Sequence, residues 1–228
     1  MEIEQYLYDM NASGEAIVAY TMRSESGASV QLCNLGASVL ALSLPNNEGR
    51  MEDVASGVSM RGVKALNGDF DGGINFAERI WESHVETNRV VMMLSYERDG
   101  VGIMNQAIFD FDDDNTLEIT YIACVDQDSI FDLIQSMTFN LGADQLFEIN
   151  GTGEQNIFRI DGAQPNILSE VATVSSTASG RKITILSSQP ALYYNPQTCE
   201  IAPLTPDSQI VAAESRFIQK NVYRFLLG

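Results

Sequence analysis

Apolar and polar residues alternate with a period of two through much of this chain, the spacing that puts every second side chain on one face of a β-strand. Gly14 to Leu44 divides into short alternating segments at Ser26-Gly27 and Asn34-Leu35-Gly36, and in the third of them Leu40, Leu42 and Leu44 share a face opposite Val39, Ala41 and Ser43. Leu117, Ile119, Tyr121, Ala123 and Val125 repeat the pattern behind the turn-forming run Asp112-Asp113-Asp114-Asn115, which predicts a hairpin arm. Further strands are expected over 89–96, 129–140, 156–160, 181–187, 191–194, 209–215 and 222–227, each bounded by Gly, Pro, Asn or Asp. The polar, small-residue stretch 169–180 predicts a loop or an exposed edge strand. No long helical stripe competes.

Many short strands at near-regular spacing predict an all-β fold, an antiparallel sandwich or barrel. With 228 residues, 45% of them hydrophobic, the chain can bury a sizeable core, and without repeat or linker it reads as one domain over 1–228. Its 31 acidic against 13 basic residues give a net charge of −18, which repels phosphate backbones and anionic membrane surfaces. Neither nucleic acid nor membrane is expected as a partner. The N-terminus carries no secretion signal and no apolar run spans a bilayer, so a cytoplasmic location is expected. Cys33, Cys124 and Cys199 are odd in number and widely spaced, which fits buried thiols rather than a disulfide frame.

Candidate chemistry is sparse. His84 is the only histidine, which excludes a His-rich zinc site and any Ser-His-Asp triad, and its own position reads as solvated. Asp110, Asp112 and Asp114 mimic a calcium loop, but Asn115 stands where glycine is needed and Tyr121 where a bidentate glutamate is needed. No metal and no cofactor is expected. Trp81 reads as a core ring. Glu214 stands out as a charge within Val211-Ala212-Ala213-Glu214-Ser215, read as an apolar strand, and Arg216 two residues on would share its face.

The segment Phe70-Asp71-Gly72-Gly73-Ile74-Asn75-Phe76-Ala77-Glu78-Arg79-Ile80-Trp81-Glu82 and the segment Asp132 to Leu141 resemble the two active-site signatures of the aldose 1-epimerase (galactose mutarotase) family. Weaker similarities follow in the same order along the chain: 27–38, Pro45 to Gly49, Asp53-Val54, Ser179-Gly180-Arg181, Gln189-Pro190 with Tyr194, and Ala213-Glu214-Ser215. The resemblance implies a galactose mutarotase-like supersandwich of antiparallel sheets, truncated at two internal segments, and a small-molecule sugar or sugar-like ligand. It also implies losses. Asp71 and Ser136 stand at the two positions the family gives to histidine, and the family's sugar-contacting arginine and aspartate segments are missing. Arg79 matches a later motif step and is not that arginine.

Anomer exchange needs an acid that protonates the ring oxygen and a base that takes the proton of the anomeric hydroxyl. By the resemblance only Glu214 remains, as base, because a serine hydroxyl at 136 does not ionise near neutrality. An ordinary aspartic acid is protonated in only about one molecule in a thousand at pH 7, so Asp71 as acid demands an upward shift of roughly 3 pH units. The expected function is therefore sugar binding with weak or no mutarotase activity, with Asp71, Ser136, Glu214, Arg79 and Arg216 lining the site. Two alternatives remain: an active epimerase using Glu214 and Asp71, and a non-catalytic protein-interaction domain.

Overall fold

The computed structural model describes residues 1–58, 60–62, 76–98, 100–131, 133–164, 166–206 and 209–226. Its strands form two large antiparallel sheets and two small two-stranded pairings. The ten-stranded sheet runs as a meander through Glu2–Met10, Ala16–Arg23, Ser29–Cys33, Ser38–Pro45 and Met51–Val58, then takes in Met137–Phe139, Glu200–Leu204, Ala191–Asn195, Ile157–Ile160 and Gly151–Glu154. The eight-stranded sheet is ordered Leu146–Ile149, Ser169–Ser175, Lys182–Ser187, Arg216–Leu226, Thr116–Val125, Val101–Phe111, Arg89–Arg98 and Glu82–Glu86. Among the described residues the helical content is one short 3-10 turn, Phe76–Glu78, and no helix is long and apolar enough to cross a membrane.

The core lies between the sheets. Leu117, Ile119, Tyr121, Ala123 and Val125 are all buried, as their alternation predicts, and they meet Tyr20, Met22, Leu32, Leu42 and Leu44 from the larger sheet in one cluster. Each large apolar side chain so enclosed contributes roughly 1.5–3 kcal/mol. Trp81 is fully buried and meets Phe76 edge-on at 6.1 Å, which accounts for the aromatic spacing of that motif by packing.

Several predicted elements differ in detail, each for a local reason. The alternation expected for Leu40, Leu42 and Leu44 is broken by a bulge at Leu40, which is skipped as the pairing with Ser29–Cys33 steps from Leu32↔Val39 to Gln31↔Ala41, so Val39 joins Leu42 and Leu44 in the core while Leu40 stays half-buried. The stretch read as a loop or edge is strand Ser169–Ser175 inside the sheet, where Val171, Ala172 and Val174 are buried behind a serine-rich composition. The single strand expected over 129–140 is three short ones, and the strand expected over 209–215 stops at Val211. Of the three thiols, Cys33 is buried, whereas Cys124 and Cys199 are half-buried.

Candidate functional site

Alternation along the eight-stranded sheet delivers polar side chains into the sandwich as well as apolar ones. In strand Arg216–Leu226 the inward positions are Phe217, Gln219, Asn221, Tyr223 and Phe225, and in Val101–Phe111 Asn105 occupies the same phase. Tyr121 lies directly opposite Gln219 on the intervening strand, and Asn105 pairs with Ala123, one inward position further along. Gln135 comes from the facing layer, at the end of the short strand Leu133–Gln135, and its side chain lies beside the Tyr121 hydroxyl without completing a hydrogen bond by geometry. Phe139 closes the other end of the row against the Tyr223 ring, with centroids 6.2 Å apart.

Asn105, Tyr121, Gln135, Gln219, Asn221 and Tyr223 are each at most 1% exposed. Ser187 donates to the Asn221 Oδ1 at 2.7 Å, but the Asn221 amide nitrogen, both side-chain amide atoms of Asn105, Gln135 and Gln219, and both phenol hydroxyls have no hydrogen-bond partner. Each buried polar atom left so costs about 1–3 kcal/mol, and native folds keep very few of them. Their concentration in one place makes this row the candidate site.

The row is electrically neutral near pH 7. Burial pushes the Tyr121 hydroxyl well above its ordinary range, the neighbouring Tyr223 phenol adds to that, and only the Gln135 side chain works against it. Burial alone pushes Tyr223 up as well. The amides do not titrate, so the row offers donors and acceptors and no proton-transfer group near neutrality.

Of the residues singled out by sequence, Ser136 falls beside this row, half-buried and next in the chain to Gln135. Asp71, with Gly72 and Gly73, lies outside the described residues. Arg79 is exposed just after the 3-10 turn, where its carbonyl accepts from the Gly36 amide at 2.8 Å. Glu214 is not on a strand: it is exposed in a turn with φ of 60°, and its own N–H donates to the Val125 carbonyl at 3.0 Å. Asp128 fixes the turn by accepting from the Ala213 N–H at 2.8 Å, which ends the alternation that had put Glu214 and Arg216 on one face. Arg216 opens the last strand and lines a separate cavity of about 280 Å³ with Asn166, Ser188 and Gln189. His84 is exposed on the edge strand Glu82–Glu86, 2.9 Å from Glu86. Among the described residues no group of three or more His, Cys, Asp or Glu side chains is placed to hold a metal ion. The polar row itself escaped sequence reading, although glutamine and asparagine at the apolar phase of Phe217–Phe225 and Ile103–Phe111 were its signal.

No family model and no curated protein matches the chain. Solved structures match in fold along its whole length. A galactose 1-epimerase from Lactobacillus acidophilus NCFM superposes with a TM-score of 0.73 at 15% identity, covering 100% of this chain and 99% of that one. A GalM/aldose epimerase homologue from C. elegans gives 0.71 at 16% identity, over 91% of this chain and 98% of that one. A galactose mutarotase-like protein from Clostridium acetobutylicum gives 0.62 at 9% identity, over 100% and 99%.

Proposed function

Starting from a galactose mutarotase-like sandwich, we propose that this protein binds a neutral carbohydrate or similar polyhydroxylated ligand and has weak or no mutarotase activity. The observation that carries the reading is the buried row of Asn105, Tyr121, Gln135 and Gln219, whose polar atoms lack partners. A carboxamide presents a donor and an acceptor side by side, the pattern that adjacent sugar hydroxyls complement, and a phenol adds one of each. In this reading the ligand enters past Ser136 and satisfies groups that the fold alone leaves unpaired.

The same row supports binding without turnover. Proton exchange at an anomeric centre needs an acid and a base that titrate near the working pH, and amides and high-pKa phenols are neither. Glu214 is exposed in a turn outside the row.

A thermal-shift panel of neutral mono- and disaccharides tests binding, because a ligand at one hundred times its dissociation constant stabilises by about 2.7 kcal/mol, several degrees of melting temperature. Polarimetry on freshly dissolved α-glucose and α-galactose tests turnover. Binding with little or no acceleration over buffer supports the reading; mutarotation at the turnover of an efficient enzyme, or no response to any sugar, refutes it.

A further inference from the structure

Strand Arg216–Leu226 outruns its neighbour. On one side it pairs with Thr116–Val125 from Arg216 onward, but on the other it pairs with Lys182–Ser187 only from Asn221 to Leu226. Ser188 finishes that edge: its N–H donates to the Lys220 carbonyl at 2.9 Å, and its Oγ accepts from the Lys220 N–H at 3.0 Å. Main-chain groups along an antiparallel strand point alternately to its two neighbours, so the N–H and C=O of Ile218 point the same way as those of Lys220. They reach the space beyond Ser188, where no strand follows, and make no hydrogen bond there among the described residues.

That step in the sheet is the 280 Å³ cavity. Arg216 stands at its rim without an acidic partner among the described residues, in a chain with 31 acidic side chains. Gln189 is buried, and its Oε1 accepts from the Thr205 hydroxyl, which leaves its Nε2 hydrogens for another acceptor. Asn166, in a left-handed conformation at φ of 61°, adds a further amide, while Pro190 and Phe217 supply apolar wall. No residue of the buried row lines this cavity.

We propose that the notch is a second ligand site, for a monosaccharide bearing a carboxylate, of the hexuronate type. That the ligand is a sugar rests on the reading above; that it carries one negative charge rests on the notch. The planar Arg216 guanidinium takes a carboxylate through two parallel hydrogen bonds. The Ile218 main chain, Asn166 and Gln189 offer donors and an acceptor to ring hydroxyls, and the C–H face of the ring lies on Pro190 and Phe217. The volume falls just under the ~300–1,000 Å³ typical of sites for drug-sized ligands, which suits one ring. One guanidinium matches one carboxylate, whereas a phosphate dianion would keep an uncompensated charge inside a protein of net charge −18.

Titration of the intact protein at low ionic strength with sodium D-glucuronate, D-glucose and sodium acetate, followed by calorimetry, tests the assignment. Glucuronate binds, acetate binds far more weakly, and Arg216→Gln lowers glucuronate affinity by at least about tenfold, the loss expected for a charge-assisted pair. Arg216→Lys keeps the charge but not the fork and falls between. Arg50→Gln, an exposed arginine that does not line the notch, leaves glucuronate affinity unchanged. Equal affinity in wild type and Arg216→Gln, no binding of glucuronate, or acetate binding as tightly as glucuronate overturns the notch. If glucose binds nowhere while glucuronate still depends on Arg216, the notch stands and the neutral-sugar reading of the row falls.

Discussion

Arg181 donates from Nη1 to the Glu52 Oε2 at 2.8 Å, tying the start of a strand in one sheet to a strand of the other. The arginine side chain is 2% exposed and the glutamate side chain 51% exposed, so the pair spans the boundary between core and solvent. Two more donors of the same guanidinium are used on backbone: Nε on the Pro45 carbonyl at 3.0 Å and Nη2 on the Leu44 carbonyl at 2.8 Å. Gly180, at φ of 71°, supplies the left-handed turn that aims the arginine there, and a Cβ at that position would fall 2.1 Å from Asn47 Oδ1.

Replacing Arg181 removes donors from two carbonyls and opens a void in the core. Arg181→Leu is expected to lower stability by about 1–3 kcal/mol, the cost of leaving the Pro45 and Leu44 carbonyls without donors. Arg181→Lys loses less, because an ammonium keeps the charge but cannot direct three bonds, and Glu52→Gln loses least because that side chain remains half in water. Urea midpoints of the three variants give the order.

Acid should weaken the fold through Asp144. Its carboxylate accepts from the Ser176 hydroxyl at 2.5 Å, the Thr177 hydroxyl at 2.6 Å and the Ala178 N–H at 2.9 Å, and those bonds, Ser176 foremost, hold it well below the usual range. A lowered folded-state pKa means that the native state resists the proton more than the unfolded chain does. The stabilisation is therefore complete above the ordinary aspartate value of about 3.9 and disappears as pH falls through the native one. Glu52 and Asp113 share that sign, while Asp110, pushed up by burial, has the opposite one. Urea midpoints recorded on acidification should decline less steeply in Asp144→Asn than in wild type.

Alternation read the fold well wherever one face is apolar and the other wet, as in Leu117 to Val125. It failed where the two faces do not differ. Glu2–Met10 is exposed along nearly all its length, so nothing in Glu-Ile-Glu-Gln-Tyr-Leu-Tyr-Asp-Met distinguishes an inward side. The resemblance pointed to the fold, but the polar row was hidden because burial of Gln219 or Asn105 is a tertiary fact. Glu214 leaves the strand that apolar Val211-Ala212-Ala213 predicts because its turn is imposed from elsewhere by Asp128 and Val125.

Alkaline titration should separate the tyrosines. Tyr121 and Tyr223 have hydroxyls raised by burial, so they keep their protons beyond the ordinary tyrosine value of about 10. Because the raised groups favour the protonated native state, their stabilisation is complete below pH about 10 and is lost as pH climbs toward the native values. Tyrosinate absorbance should rise first without loss of β-sheet circular dichroism, then rise again together with unfolding. A Tyr121→Phe/Tyr223→Phe variant should lose amplitude only from the second step.

The polar row sets stability against binding. Gln219 is 1% exposed with both amide atoms unpartnered, so Gln219→Leu should raise stability by about 1–2 kcal/mol by removing an unsatisfied buried amide. The same change should abolish the melting-temperature shift given by a neutral sugar. An unchanged sugar response with a more stable fold would mean that the row is only a packing defect.

Glu214 gives the sharpest contrast between sequence and structure. If it were the catalytic base, Glu214→Gln would remove any mutarotation and Glu214→Gly would do the same. Its conformation instead puts a β-carbon in the left-handed region, which costs roughly 1–2 kcal/mol, against roughly 0.5–1 kcal/mol for the greater chain entropy of glycine. Glu214→Gly is therefore expected to be neutral or to stabilise by about 0.5 kcal/mol, with the Val125 and Asp128 hydrogen bonds of the turn retained. Thermal unfolding reads that gain, and polarimetry on the same sample should give the wild-type trace. A lost mutarotation signal in both variants, with folding intact, would restore Glu214 to the chemistry.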